Sequence, residues 1–279
     1  MHKFWILGAL VAPLVGGAGA ASAAPIIKID HAVARVTVVL EPRNDVVAEM
    51  VRTNPHFPIQ IERVGDGVSI WGDLGHTSAN CHGPADRPHV TVWMRGDVRY
   101  DEMPQIVIHA PLNAEVRAAG AIFGAVGRGD SLTLSNAGCG DWVVGDQTGA
   151  LTLNLAGSGD IRAGAADRAT VHTAGSSDVS LRAVRNGLSA IVTGSGDIDA
   201  VAVNGPLNAR IAGSGDVRVK AGQVTDLGAN IAGSGDVNFG GVATNVDAKI
   251  AGSGDITLAR VTGTVNKHIV GSGDVTIGR

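Results

Sequence analysis

Eight aspartates stand out as residues able to do chemistry. They are Asp141, Asp160, Asp178, Asp197, Asp216, Asp236, Asp255 and Asp274, and successive ones lie 19, 18, 19, 19, 20, 19 and 19 residues apart. Most close a Gly-Ser-Gly-Asp run, as in "AGSGD" at 156–160, 212–216, 232–236 and 251–255. A row of carboxylates has three uses. It binds hard cations such as Ca²⁺ through oxygen. Beside arginines it supplies acids and bases for cleaving acidic polysaccharides. Within a turn it accepts hydrogen bonds from backbone N–H groups.

The elements that must position these groups follow from the same period. A repeat this constant is the mark of a solenoid. Nine residues before the aspartates stand Leu132, Leu151, Ala169, Leu188, Leu207, Leu227, Val246 and Val265. The columns seven and five before are also mostly apolar, and the columns between them are mostly polar, as at His172, Arg210, Asn230, Lys249 and His268. That alternation is a strand with one face buried. A second short strand follows each aspartate, opening with Trp142, Ile161, Val179, Ile198, Val217, Val237, Ile256 or Val275. One coil is therefore strand, Gly-rich corner, strand and connection. Coils stack at ~4.8 Å, so eight of them make a rod of roughly 40 Å. The expected fold is all-β: a right-handed parallel β-helix of ~19-residue coils, by the usual hand of parallel connections. The thin core explains an aromatic content of 3%. Lys267 interrupts an inward column in the last coil, and Arg117-Ala118-Ala119-Gly120-Ala121 reads as a degenerate corner one period before the first.

In that register the corner aspartates are expected to be structural, each bonding the backbone of its own corner. Stacked carboxylates repel by about 0.9 kcal/mol per neighbour even in bulk water, so donors must offset them. Weak Ca²⁺ binding by the ladder is the alternative. It is disfavoured because each coil offers one carboxylate, against the about six to eight oxygens calcium takes. No other cofactor and no metal site is expected. The spacing of His76, Cys81, His82 and His89 fits no standard zinc pattern. Asp199 and Arg218 share an outward column in adjacent coils. They are the seed of the alternative function, a β-helix lyase or hydrolase acting on polysaccharides. No nucleophile elbow, P-loop, zincin helix or dinucleotide fingerprint occurs, and no acid, base and electrophile converge. The reading is not an enzyme, with no catalytic residue. A flat threonine face for ice binding is excluded by the mixed column Val143, Arg162, Ser180, Asp199, Arg218.

The flanking segments complete the organisation. Residues 1–23 read as a signal peptide: His2 and Lys3, an apolar run from Phe4 to Val15, and Ala21-Ser22-Ala23 as the cleavage site. The expected location is periplasmic or secreted, with no membrane insertion after cleavage. Residues 24–111 form a β-rich N-terminal cap region without the period. In it "PIQIERVGDGVSIWG" at 58–72 reads as a hairpin turning at Gly65-Asp66-Gly67. "RNDVVAEMV" at 43–51, "HVTVWM" and "QIVIHAP" are further strand candidates. Residues 112–279 form the β-helix repeat. Cys81 and Cys139 are expected to pair, tying cap to solenoid across 58 residues, worth about 4 kcal/mol in a chain-entropy account. A net charge of −4 gives no reason to expect nucleic acid. The expected partner is a protein or glycan, with self-association through an uncapped C-terminal coil as a further expectation.

The "AGSGDV/I" corners, the export signal and the β-rich cap resemble the bacterial head-GIN-domain family, labelled an auto-transporter adhesin. The similarity covers 115–279, and more loosely "CHGPADRPHVTVWMRGDVRYDEMPQIVIHAP" at 81–111. It implies a β-helical, adhesin-like binding or structural protein of the cell envelope and brings no catalytic residues. No C-terminal membrane barrel of a self-secreting autotransporter is expected.

Overall fold

The structure is a computed structural model and describes residues 24–75, 79–83 and 88–278. The signal-peptide reading of 1–23, and His76, lie outside the described residues. Two parallel ladders carry the repeat. In one, Ser131–Cys139, Ala150–Gly157, Arg168–Gly175, Leu188–Gly194 and Gly205–Gly213 stack in order, each strand paired with the next. In the other, Trp142–Val144, Ile161–Ala166, Val179–Val184 and Ile198–Val203 do the same. Both continue to Val265–Gly271 and Val275–Ile277. Register follows the sequence columns: Leu132 pairs with Leu151, and Leu134 with Leu153. The architecture is the expected β-solenoid, and its coils repeat every 19 residues or so.

Side chains alternate in and out along each strand, so the inward columns form one continuous core. Ala190, Ala209, Ala229 and Ala248 are all fully buried and keep the coil narrow. Large rings fit only by local arrangement. Trp142 is fully buried because Gly124 lies in the coil beneath it; a Cβ at Gly124 would fall inside the indole.

The N-terminal region is built onto the same stack. Ile26–Leu40 runs a whole coil and pairs in parallel with Asn113–Val126. On its other edge it pairs with Gly67–Gly72 and Gln105–Ala110. This coil turns at His31, φ 51°, without the repeated glycine corner. Its membership of the stack is therefore invisible to a search for that motif. Two antiparallel strands close the end: Ile59–Val64 on Gly67–Gly72, and Val47–Arg52 on Gln105–Ala110. The first pair is the expected hairpin, turning through Gly65 at φ 59°. A separate sheet of Ala79–His82, His89–Val92 and Gly96–Arg99 sits beside the solenoid on its own small core. Cys81 in this sheet and Cys139 in the first regular corner lie at disulfide distance, with Cα atoms 5.7 Å apart.

At the other end Lys267 stands in the inward column, where its Nζ donates to the Val275 carbonyl at 2.6 Å. The stem lies over the last of the core and the ammonium satisfies a carbonyl, which is how a charged residue blunts a sheet end.

Candidate functional site

The corners needed glycine for more than a bend. The first glycine of each takes a left-handed φ, as at Gly157 (143°), Gly213 (140°) and Gly252 (142°). A Cβ there would also strike the carbonyl oxygen of the matching glycine one coil below. The third position, as at Gly215 and Gly235, is outside that φ range, but a Cβ would meet the lower coil's carbonyl just as closely. Stacking distance therefore dictates the first glycine and, outside the corner with Ser177, the third; conformation dictates the first, and the third only at Gly140, φ 109°.

The aspartates bond upward through the stack, which corrects the expectation of a bond inside each aspartate's own corner. Asp141 Oδ1 accepts the N–H of Asp160 at 3.1 Å, and Asp160 Oδ1 that of Asp178 at 3.0 Å. The pattern continues through Asp197, Asp216, Asp236, Asp255 and Asp274 at 2.7–2.8 Å. The reason is directional. Backbone N–H groups in a parallel stack point along the rod axis, so the carboxylate of the adjacent coil is the acceptor within reach. Each carbonyl of Asp160 to Asp274 in turn accepts a strand N–H from the coil before, as Trp142 donates to Asp160 and Val217 to Asp236. With the corner serine N–H, which donates to the first glycine carbonyl of the coil before, as Ser214 does to Gly194, each corner is latched to the next by at least three bonds.

The electrostatics follow from this geometry. Burial pushes the Asp160 carboxyl up; the Asp178 N–H opposes this, while the Asp141 and Asp178 charges add to it. Further along, Arg218 bridges two rungs, donating to Asp197 Oδ2 at 2.6 Å and to Asp216 Oδ2. Asp199 is the register partner of Arg218, but the guanidinium's hydrogen bonds go to the corner carboxylates. The arginine of the pair read as a catalytic seed is therefore engaged by the ladder. A second set of polar rungs runs along the connections. Asp146 accepts the Ala165 N–H at 2.8 Å and Arg182 at 2.7 Å. Its carboxyl is lowered, first by that backbone bond and then by Arg182 and Arg128, against the effect of desolvation. Asn186 bonds Asp167, and Asn245 bonds Asp226 at 3.1 Å. The signal was present in the sequence as Asx residues 19 apart, but it was overshadowed by the glycine corners.

Of the histidine and cysteine set, Cys81 faces Cys139, and the rings of His82 and His89 are 3.9 Å apart. Among the described residues no three His, Cys, Asp or Glu side chains gather as a metal site would require.

The outer face of the first ladder carries a long shallow groove of about 470 Å³ over the later coils. Ala212, Ala232 and Ala251 form its floor, and Arg210, Lys249 and His268 lie along one wall. Parallel stacking places these side chains one above another, because residues at one position of each coil share a column. The columns were legible in the sequence, while the concavity depends on how far the long side chains stand above the alanines.

No helix among the described residues is long and apolar enough to cross a membrane. Comparison with curated proteins and with solved structures gives no match. The family described as "Putative auto-transporter adhesin, head GIN domain" matches residues 102–220 and again 186–278. The overlapping matches fall on the stacked coils and their corners, and with more than half of the sequence covered, the chain belongs to the head GIN domain family.

Proposed function

We propose that this protein is an exported envelope component that works by adhesin-like binding along the outer face of its solenoid, without catalysis. The groove over Ala212, Ala232 and Ala251 is the observation that carries the reading. It crosses several coils on a rigid face, the setting in which solenoids engage extended partners. The family description supports an adhesin role. The repeated carboxylates support the same division of labour, since each is used to hold the next coil. The reading includes cleavage after Ala23, a periplasmic or secreted location, a protein or glycan partner, and no cofactor.

The test is binding of the fluorescent protein, expressed without residues 1–23, to bacterial cells and purified envelope glycans. Wild type should bind saturably. Ala232→Trp, which fills the floor of the groove, should weaken binding by about tenfold or more, as loss of a central contact does. Equal binding by both proteins would remove the groove from the account. New reducing ends released from a glycan, and lost in Asp199→Ala, would favour a polysaccharide-active enzyme instead.

A further inference from the structure

We propose that the turn at Trp93 and Met94 is a membrane-contact tip that rests the cap end of the rod on a phospholipid surface. It is a site apart from the groove and does not depend on it. The first observation is exposure. Val92 is buried, and the next two residues, Trp93 and Met94, are 67% and 84% exposed. Two adjacent large apolar side chains in solvent point to a contact surface. The second is conformation. The Arg95 N–H donates to the Val92 carbonyl at 3.0 Å, which closes a four-residue turn with Met94 third. Its φ is 64°, and a positive φ at that place is ordinarily supplied by glycine. A long apolar side chain is kept there against the preference of the backbone, as at sites held for a ligand.

The third is rigidity. Arg95 Nη1 donates to Asp73 Oδ1 at 2.5 Å, and its Nη2 to the Asp73 carbonyl at 3.0 Å. Below the turn, Thr91 Oγ1 donates to Asp97 Oδ1 at 2.5 Å across the two strands. The turn is tied down on both sides, so the apolar pair is presented ready for contact. Arg95 also reaches the His56 carbonyl at 3.4 Å. His56 lies between the two antiparallel strands that close the rod, so the tip stands at the cap end, away from the groove over the later coils. The fourth is the fit of the occupant. A projecting tip needs a partner that is hollow or that yields. A bilayer yields wherever it is touched, and Trp suits its interface, with the ring at the acyl boundary and Nε1–H among the headgroups. Charge adds little, because Arg95 is paired with Asp73 and Arg99 with Glu102. Contact therefore rests on apolar burial. Two side chains enter the interface without spanning it, so binding is weak and reversible.

The test uses the protein expressed without residues 1–23 and a large excess of vesicles. One set is phosphatidylcholine alone, and the other adds phosphatidylglycerol. Wild type should co-sediment with both to a similar extent, with little effect of salt. Trp93→Ser with Met94→Ser should weaken binding by about tenfold or more, as the loss of two buried apolar side chains requires. Both positions are exposed, and unchanged melting curves establish that the fold is intact. Met94→Gly should weaken binding by about fivefold or more while Tm stays or rises, since glycine relieves the turn. No co-sedimentation with either vesicle overturns the inference, as does equal binding by wild type and the double variant. Binding confined to phosphatidylglycerol and abolished by salt assigns the contact to surface charge and overturns it too. So does a lower Tm in Met94→Gly, which would make that side chain part of the fold.

Discussion

Asp160 is the rung at which protein, more than solvent, decides the proton affinity. Burial and two like-charged neighbours raise its carboxyl, so the folded state binds this proton more readily than the unfolded chain. The sign follows from linkage. Asp160 costs no stability below the ordinary carboxylate range. The cost develops as pH rises through that range to the raised value, and it is complete at neutral pH. Asparagine keeps the oxygen that accepts the Asp178 N–H and carries no charge. Asp160→Asn should therefore raise Tm at pH 7, with the gain vanishing below about pH 3, under the ordinary carboxylate range. A melting series from pH 3 to 8 on both proteins decides it; a lower Tm at pH 7 would mean that the charge itself is needed. Asp146 has the opposite sign. Its lowered carboxyl stabilises the fold above the ordinary range, and that contribution is lost as pH falls through its folded value.

At the scale of the element, one corner and one small sheet show what local sequence can and cannot convey. The Gly-Ser-Gly-Asp corner announces itself, because stacked backbones leave no room for a Cβ at its first glycine, nor at the third in any regular corner but the one with Ser177. Its aspartate's partner did not, since the bond runs to a residue one coil away and local turn chemistry points to the residue's own loop. The strand Ile26–Leu40 was harder still. It takes part in the stack through its pairing with Asn113–Val126, but His31 replaces the glycine signature. The sheet of Ala79–His82, His89–Val92 and Gly96–Arg99 leans on the solenoid through Val90, Val92 and Val98 and through Cys81 beside Cys139. Cys81→Ser should lower stability by about 2–4 kcal/mol, the usual range for a long loop. The loss should fall on the cap: hydrogen exchange should rise in 79–103 before it rises in the later coils. Uniform loosening of the whole rod would argue against this division.

Across the whole molecule, fold and function separate. Inward columns, glycine corners and the carboxylate ladder join coil to coil; the proposed binding lies on the outer columns. The rod was legible because a 19-residue period repeats the same physical problem in each coil, and each coil solves it with the same residues. The groove was legible only in part. Arg210, Lys249 and His268 could be assigned to one outward column from sequence, but the hollow beside them depends on the height of neighbouring side chains across three coils. The structural role proposed for the ladder underlies all of this, and one comparison addresses it directly. Asp236 accepts the Asp255 N–H at 2.8 Å and makes no ion pair among the described residues, so its two functions can be parted. Thermal unfolding is measured for wild type, Asp236→Asn and Asp236→Ala, each with Ca²⁺ and with chelator. The account predicts that Asn melts close to wild type. Ala should lose about 1–3 kcal/mol through an unsatisfied backbone donor, and neither additive should move any of the three. Asn as unstable as Ala, with a wild-type Tm that rises in Ca²⁺, would contradict it and make the ladder a cation site.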